Sequence, residues 1–227
     1  MASYQIVSQH PDFIVINKAA NVHFHSQDGS AGVVAQVERE LNIKLFAVHR
    51  LDTPTSGLII LAKSAQAANR FTQMFTQHQV QKYYLALASG KPKKKQGWVI
   101  GDMAKSRRSM YKLLRTKENP AITQFFSLSV GEGLRAYLLK PLSGKTHQLR
   151  VALASIGVPI LGDELYGKHP SDRCYLHAYQ LIFNYQDTEY QFSQPPVQGE
   201  HFSLGKLPHI LQQQWLAPND LPWPSKS

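Results

Sequence analysis

Leu45-Phe46-Ala47-Val48-His49-Arg50-Leu51-Asp52-Thr53-Pro54-Thr55-Ser56-Gly57-Leu58-Ile59-Ile60-Leu61-Ala62-Lys63 sets a polar island between two short apolar runs. The runs, 45–48 and 58–62, are brief and partly β-branched, which predicts two buried strands, although periodicity alone leaves helix open. The island between them is then a loop. Pro54 and Gly57 punctuate it, and Asp52, Thr53, Thr55 and Ser56 can bond nearby backbone and stiffen it. His49, Arg50 and Asp52 are thereby presented at the mouth of a sheet, where a rigid scaffold lets loop side chains meet a ligand. From the residues alone Asp52 has two readings, a turn aspartate paired with Arg50 or a functional carboxylate.

Working outward, Phe13-Ile14-Val15-Ile16 before Asn17-Lys18 predicts a strand running into a turn. Ser30 as N-cap, followed by Val34, Val37 and Leu41, predicts a scaffold helix ending near Asn42. Ser64 predicts the cap of a second helix to about Gln77, with Ala68, Phe71, Met74 and Phe75 on its apolar face. The run from Lys82 to Ala88 reads as a strand, with Tyr83 and Tyr84 on opposite faces. Segments 121–126 and 134–139 read as a hairpin turned at Gly131-Glu132-Gly133. Thr146 is the expected cap of a helix carrying Leu149, Leu153 and Ile156 to Gly157, which places His147 and Arg150 one turn apart.

The chain of 227 residues has a net charge of +10 and a pI near 9.7, a field that favours a polyanionic partner, nucleic acid above all. That charge is local. Lys91, Lys93, Lys94, Lys95, Lys105, Arg107, Arg108, Lys112, Arg115 and Lys117 accompany a single acid, Asp102, within 91–117. A charge run is usually a solvated face, but one that holds nearly all the net charge reads more readily as a footprint for phosphates. Lys93, Lys94, Lys95, Arg107 and Arg108 are its expected backbone contacts. Cys174 is the only cysteine, so no intrachain disulfide can form, and no multi-cysteine zinc pattern exists. His23 and His25 lack further ligands, so no metal is expected. No run reaches the roughly 20 apolar residues of a span and no signal-peptide core opens the chain, which together predict a cytoplasmic protein away from membranes.

His49-Arg50-Leu51-Asp52 followed by Thr55-Ser56-Gly57 resembles the signature loop of the RluA-type pseudouridine synthases, which isomerise uridine in ribosomal and transfer RNA. The resemblance spans about 12–183. It takes in Asp12, Asn17 and Lys18, then Lys82-Tyr83-Tyr84, then Lys145-Thr146-His147-Gln148-Leu149-Arg150, then Gly162-Asp163-Glu164-Leu165-Tyr166-Gly167. It implies that Asp52 is the catalytic aspartate, that Arg50 takes the place of the flipped uridine, that Tyr84 packs on the base, and that Arg150 forms a salt bridge with Asp52. His49, Thr55, Lys82, Lys145, His147 and Gln148 are the implied substrate neighbours. Ala19, Asn21, Ser143, Lys145 and Ala152 depart from the family pattern, the last three where RNA contact is expected.

The implied reaction, breaking the N-glycosidic bond and rejoining uracil through carbon, needs a carboxylate and a flipped base, and no cofactor. The carboxylate can attack C1′ or assist glycal formation, and both routes stay open at this point. Two alternatives belong to other classes. A noncatalytic basic RNA-binding protein would explain the charge but not the motif, and a glycoside hydrolase would need a second carboxylate of equal standing. The expected fold class is α+β, a mixed, mainly antiparallel sheet with flanking helices and a central RNA-binding cleft. The expected organisation is one catalytic domain over 1–216 and a proline-rich, loosely ordered tail over 217–227, without the family's RNA-binding S4 module. A monomer acting on structured RNA is expected, with the target uridine open.

Overall fold

The computed structural model describes residues 2–27, 29–167 and 169–225. In chain order the elements are β1 (Tyr4–Gln9), β2 (Phe13–Lys18), α1 (Val33–Leu41), β3 (Phe46–Ala47), β4 (Ser56–Ala62), α2 (Ala65–Thr76), β5 (Gln81–Ser89) and β6 (Gln96–Gly101). They continue with β7 (Met103–Lys105), β8 (Tyr111–Leu113), β9 (Ala121–Gly131), β10 (Leu134–Pro141), α3 (Gln148–Ser155), β11 (Leu176–Tyr185), β12 (Thr188–Ser193), α4 (Glu200–Ser203) and α5 (Leu207–Gln213). A 3-10 turn at Pro218–Asp220 follows. The class is α+β, with mainly antiparallel pairing.

The chain divides into two compact units. Met1–Lys82 with Ala178–Gln194 form the first, and Tyr83–His177 with Pro195–Ser227 form the second.

In the first unit the strands run β1-β2-β4-β11-β12, and β3 also pairs with β4. Alternate residues of β2, β4 and β11 (Phe13 and Val15, Leu58 and Ile60, Leu181 and Phe183) face the α2 side chains Phe71 and Met74 in one buried cluster. Ile14, Ile16, Ile59 and Leu61, of opposite parity, are buried as well, which is why these strands read as unbroken apolar runs. Phe71, wholly buried, meets Phe13 edge-on at 5.4 Å and stacks on Tyr185 at 5.0 Å. Truncating such a ring to alanine costs about 3–5 kcal/mol. Ser64 caps α2 as expected, accepting from the Ala67 N–H. The α1 cap differs: Gly32, not Ser30, holds that position, because a Cβ there would fall 2.3 Å from the His25 carbonyl carbon. The apolar run 45–48 yields a strand of only two residues.

In the second unit β5-β10-β9-β6 form an antiparallel ladder, and β7 with β8 forms a separate hairpin. The β9–β10 turn uses positive φ at Gly131, Glu132 and Gly133. Helix α3 starts one residue later than its expected cap: His147, at φ 56°, is the N-cap and makes no side-chain capping bond. Gly157, at φ 82°, lets the chain leave the helix as expected. The proline-rich segment after 216 meets this unit through long-range contacts. Asn219 accepts the Tyr83 hydroxyl at 2.9 Å, Trp223 lies 4.7 Å from Phe126, and the Pro224 and Ser225 carbonyls accept from Gln124 and Trp98.

Candidate active site

The loop between β3 and β4 is fixed from beneath. Lys18, the last residue of β2, pairs in register with Gly57 and is completely buried. Its ammonium donates to the carbonyls of Ala19 (2.9 Å), Val22 (2.9 Å) and Thr53 (3.1 Å). Three protons thus meet three acceptors, the arrangement that makes a buried lysine tolerable. The third bond clamps the residue after Asp52. A turn follows at once, in which the Asp52 carbonyl accepts the Thr55 N–H at 3.0 Å, and Thr55 and Ser56 are buried beneath it. Gly57 then runs at φ 115°, and a Cβ there would fall 2.3 Å from the Ala178 carbonyl oxygen.

The upstream side of the loop is held by His49. Its Nε2 accepts the Ile60 N–H at 2.9 Å, and its ring lies 4.7 Å from Phe75. Accepting at Nε2 puts the proton of the neutral ring on Nδ1. Burial first, and the positive charge of Lys82 second, push the His49 imidazolium down to about 3. Lys82 lies 5.7 Å from the Phe75 ring, and burial lowers its ammonium from the ordinary lysine range. Expected as substrate neighbours, His49 and Thr55 are thus built into the loop's support. Between these anchors Leu51 is buried, Asp52 is partly buried and Arg50 is exposed.

In the second unit, Tyr84 is partly buried on β5, opposite Leu139, while Tyr83 beside it is wholly buried. Arg150 on α3 is 4% exposed and forms a forked salt bridge with Asp163: Nε to Oδ2 at 2.7 Å and Nη2 to Oδ1 at 2.8 Å. Asp163 Oδ1 also accepts the N–H groups of Leu165 and Tyr166, so the carboxylate that aims the guanidinium is itself aimed by its own turn. The Tyr166 ring lies 5.2 Å from the guanidinium carbon. Gln148 has its amide used within the protein. It donates to the Ile122 carbonyl and Thr123 hydroxyl, and it accepts from Ser143 and the Lys145 N–H. Lys145 reaches Asn119 at 2.8 Å, and His147 Nδ1 lies 2.9 Å from the Tyr166 hydroxyl.

All ten basic residues of 91–117 are exposed. Lys93, Lys94 and Lys95 precede β6, while Arg107 and Arg108 form the tip of the β7–β8 hairpin, with Arg108 and Ser109 both at positive φ. Three residues of weight were missed by sequence reasoning: Lys18 as a clamp, and Asp163 and Tyr166 around Arg150. Their signal was present in Asn17-Lys18 and Gly162-Asp163-Glu164-Leu165-Tyr166, which the resemblance covered without giving them roles. Among the described residues no three His, Cys, Asp or Glu side chains gather as a metal site requires, and no helix is long and apolar enough to cross a membrane.

The sequence profile described as RNA pseudouridylate synthase covers residues 12–155, and the chain belongs to that family of isomerases. An RNA pseudouridine synthase of Haemophilus influenzae is 50% identical over 199 residues, covering 86% of this chain and 89% of the relative. The tRNA pseudouridine synthase C of Salmonella typhi is 30% identical over 189 residues, covering 72% of this chain and 69% of that protein. Among solved structures, human RNA pseudouridylate synthase domain containing 1 superposes with a TM-score of 0.76 at 25% identity, covering 98% of this chain and 97% of that one.

Proposed function

We propose that the chain isomerises particular uridines of a structured ribosomal or transfer RNA, with Asp52 as the reacting carboxylate. In this reaction the N1–C1′ bond breaks, a C5–C1′ bond forms, C5 gives up its proton and N1 gains one, so the atoms balance without a redox partner. Asp52 either attacks C1′ or removes a ribose proton on the way to a glycal. The uridine must leave its stack first, at a cost of a few kcal/mol, which the basic surface offsets and which Arg50 reduces by filling the vacated space. Tyr84 packs against the detached uracil and holds it while it turns. Arg150 is assigned to the same reaction on the motif resemblance.

One observation carries this reading. The backbone is anchored on both sides of Asp52, by His49 to Ile60 and by Lys18 to Thr53, while Asp52 itself is partly exposed. An ordinary turn aspartate needs no such support, whereas a reacting group gains from a fixed position. Transfer RNA as the substrate is supported by the name of the Salmonella relative; ribosomal RNA rests on the motif resemblance. The test is Asp52→Asn, nearly isosteric and still able to bond the turn. Single-turnover conversion with saturating enzyme should fall by orders of magnitude while RNA affinity and the unfolding midpoint stay near wild type. Substantial pseudouridine formation by the folded variant would sink the assignment.

A further inference from the structure

The turn after Asp163 does two things at once. Through Asp163 it forks Arg150 by the Nε and Nη2 edge, which turns Nη1 away from that carboxylate. Through Tyr166, three residues on, it reaches the basic hairpin: the Tyr166 hydroxyl accepts the Tyr111 N–H at 2.8 Å and pairs with His147 Nδ1 at 2.9 Å. Tyr111 opens β8, and its ring meets His147 edge-on at 5.6 Å. The hairpin is otherwise slight. It pairs Met103 with Leu113, Ala104 with Lys112 and Lys105 with Tyr111, its base is closed by the Asp102 N–H to the Thr116 carbonyl and the Leu114 N–H to the Asp102 carbonyl, and its tip carries Arg107 and Arg108 into solvent. A two-stranded ribbon of this size is marginal by itself, and the Tyr166 bond holds it at Tyr111, the last paired residue before the tip.

We propose that Tyr166 is a positioning residue: its hydroxyl ties the last paired residue below the Arg107-Arg108 tip to the turn whose Asp163 aims Arg150, so that RNA gripped by the tip arrives in register with that guanidinium. A loose basic loop would add affinity only. A hairpin tied just below its tip adds register as well, because a phosphate bound at the tip then lies at a set distance from α3. Tyr166 touches neither reacting atoms nor RNA in this account. It acts through Tyr111, His147 and the ring under Arg150. The inference rests on the proposed function only in taking structured RNA as the ligand.

The experiment is a double-mutant cycle on the full chain, combining Tyr166→Phe, which keeps the ring and removes the hydroxyl, with Arg107→Ala plus Arg108→Ala. RNA dissociation constants and saturating single-turnover rates are read for all four proteins. Removing the arginines from the wild type should weaken binding about tenfold, and removing them from Tyr166→Phe only about twofold, since an untethered tip has less left to lose. Independent, multiplying effects on binding would overturn the proposal. Asp52→Asn run beside them separates the two failures, because the binding cycle keeps its meaning whether or not Asp52 is the reacting group. If Tyr166→Phe does not fold, amide exchange of the wild type decides. The Tyr111 amide should be protected well beyond the fraying tip of its own hairpin, and exchange as fast as the tip would overturn the tether.

Discussion

The loop around Asp52 and the hairpin around Arg108 are both polar turns between strands, yet they are built in opposite ways. The first is gripped from below by Lys18 through three carbonyls and from the side by His49 through the Ile60 N–H. The tip of the second closes on two backbone bonds, Ser106 N–H to the Met110 carbonyl and Met110 N–H to the Arg107 carbonyl, and its arginines are exposed. The contrast separates two demands. Attraction to a polyanion acts over a Debye length of about 10 Å, so the exposed arginine side chains at the tip can move even while the strand beneath them is tied through Tyr166. Bond making at a ribose carbon loses much of its rate when a group shifts by about 1 Å.

If that contrast holds, Lys18→Met should do the most damage after Asp52→Asn. It keeps the length of the side chain and abandons three carbonyls in a buried place, at a cost of about 3 kcal/mol or more in urea denaturation. Single-turnover conversion should fall at least about 100-fold, because the Thr53 anchor beside Asp52 is gone. A stable variant turning over at the wild-type rate would show that the loop holds itself.

A smaller effect follows from His49, whose imidazolium is pushed from 6.5 to about 3. The folded protein prefers the neutral ring, while the unfolded chain takes up a proton near pH 6.5. Its stabilising contribution is therefore complete above about pH 6.5, declines as the pH falls toward about 3, and declines no further below that, with a slope of up to about 1.4 kcal/mol per pH unit. His49→Gln can accept the Ile60 N–H without titrating. It should flatten that part of the stability profile, and an unchanged slope would mean that other groups carry it.

The smallest structural effect belongs to Lys93, Lys94 and Lys95. Replacing all three with alanine should leave stability within about 0.5 kcal/mol, since they are exposed, while RNA binding weakens and its logarithmic salt slope flattens by about 2–3. The same slope for variant and wild type would remove these lysines from the RNA footprint.

Much of the scaffold was legible because local pattern and burial agree in it. The runs 13–16 and 58–62 became β2 and β4, and Ser64 caps α2 as its spacing implied. The hairpin at Gly131-Glu132-Gly133 follows from the same agreement. Legibility failed where a distant partner decides. Nothing near Ser30 reveals that Gly32 must pass against His25, and nothing near Thr146 reveals that His147 turns left-handed toward Tyr166. In the sequence Lys18 marks only where a strand runs into a turn, and only the fold brings Val22 and Thr53 to its amine. The contacts of Trp223 and Asn219 are equally silent in a proline-rich segment, since their partners lie about a hundred residues earlier in the chain.

The ammonium of Lys18 stands where many proteins place a coordinated ion, at the convergence of three carbonyl oxygens from two turns. Here the cation hangs on a four-carbon leash and cannot be washed out, exchanged for a competitor or titrated away with a chelator. RNA recognition by this molecule is then free to rise and fall with the ionic medium, while the geometry around Asp52 stays indifferent to it.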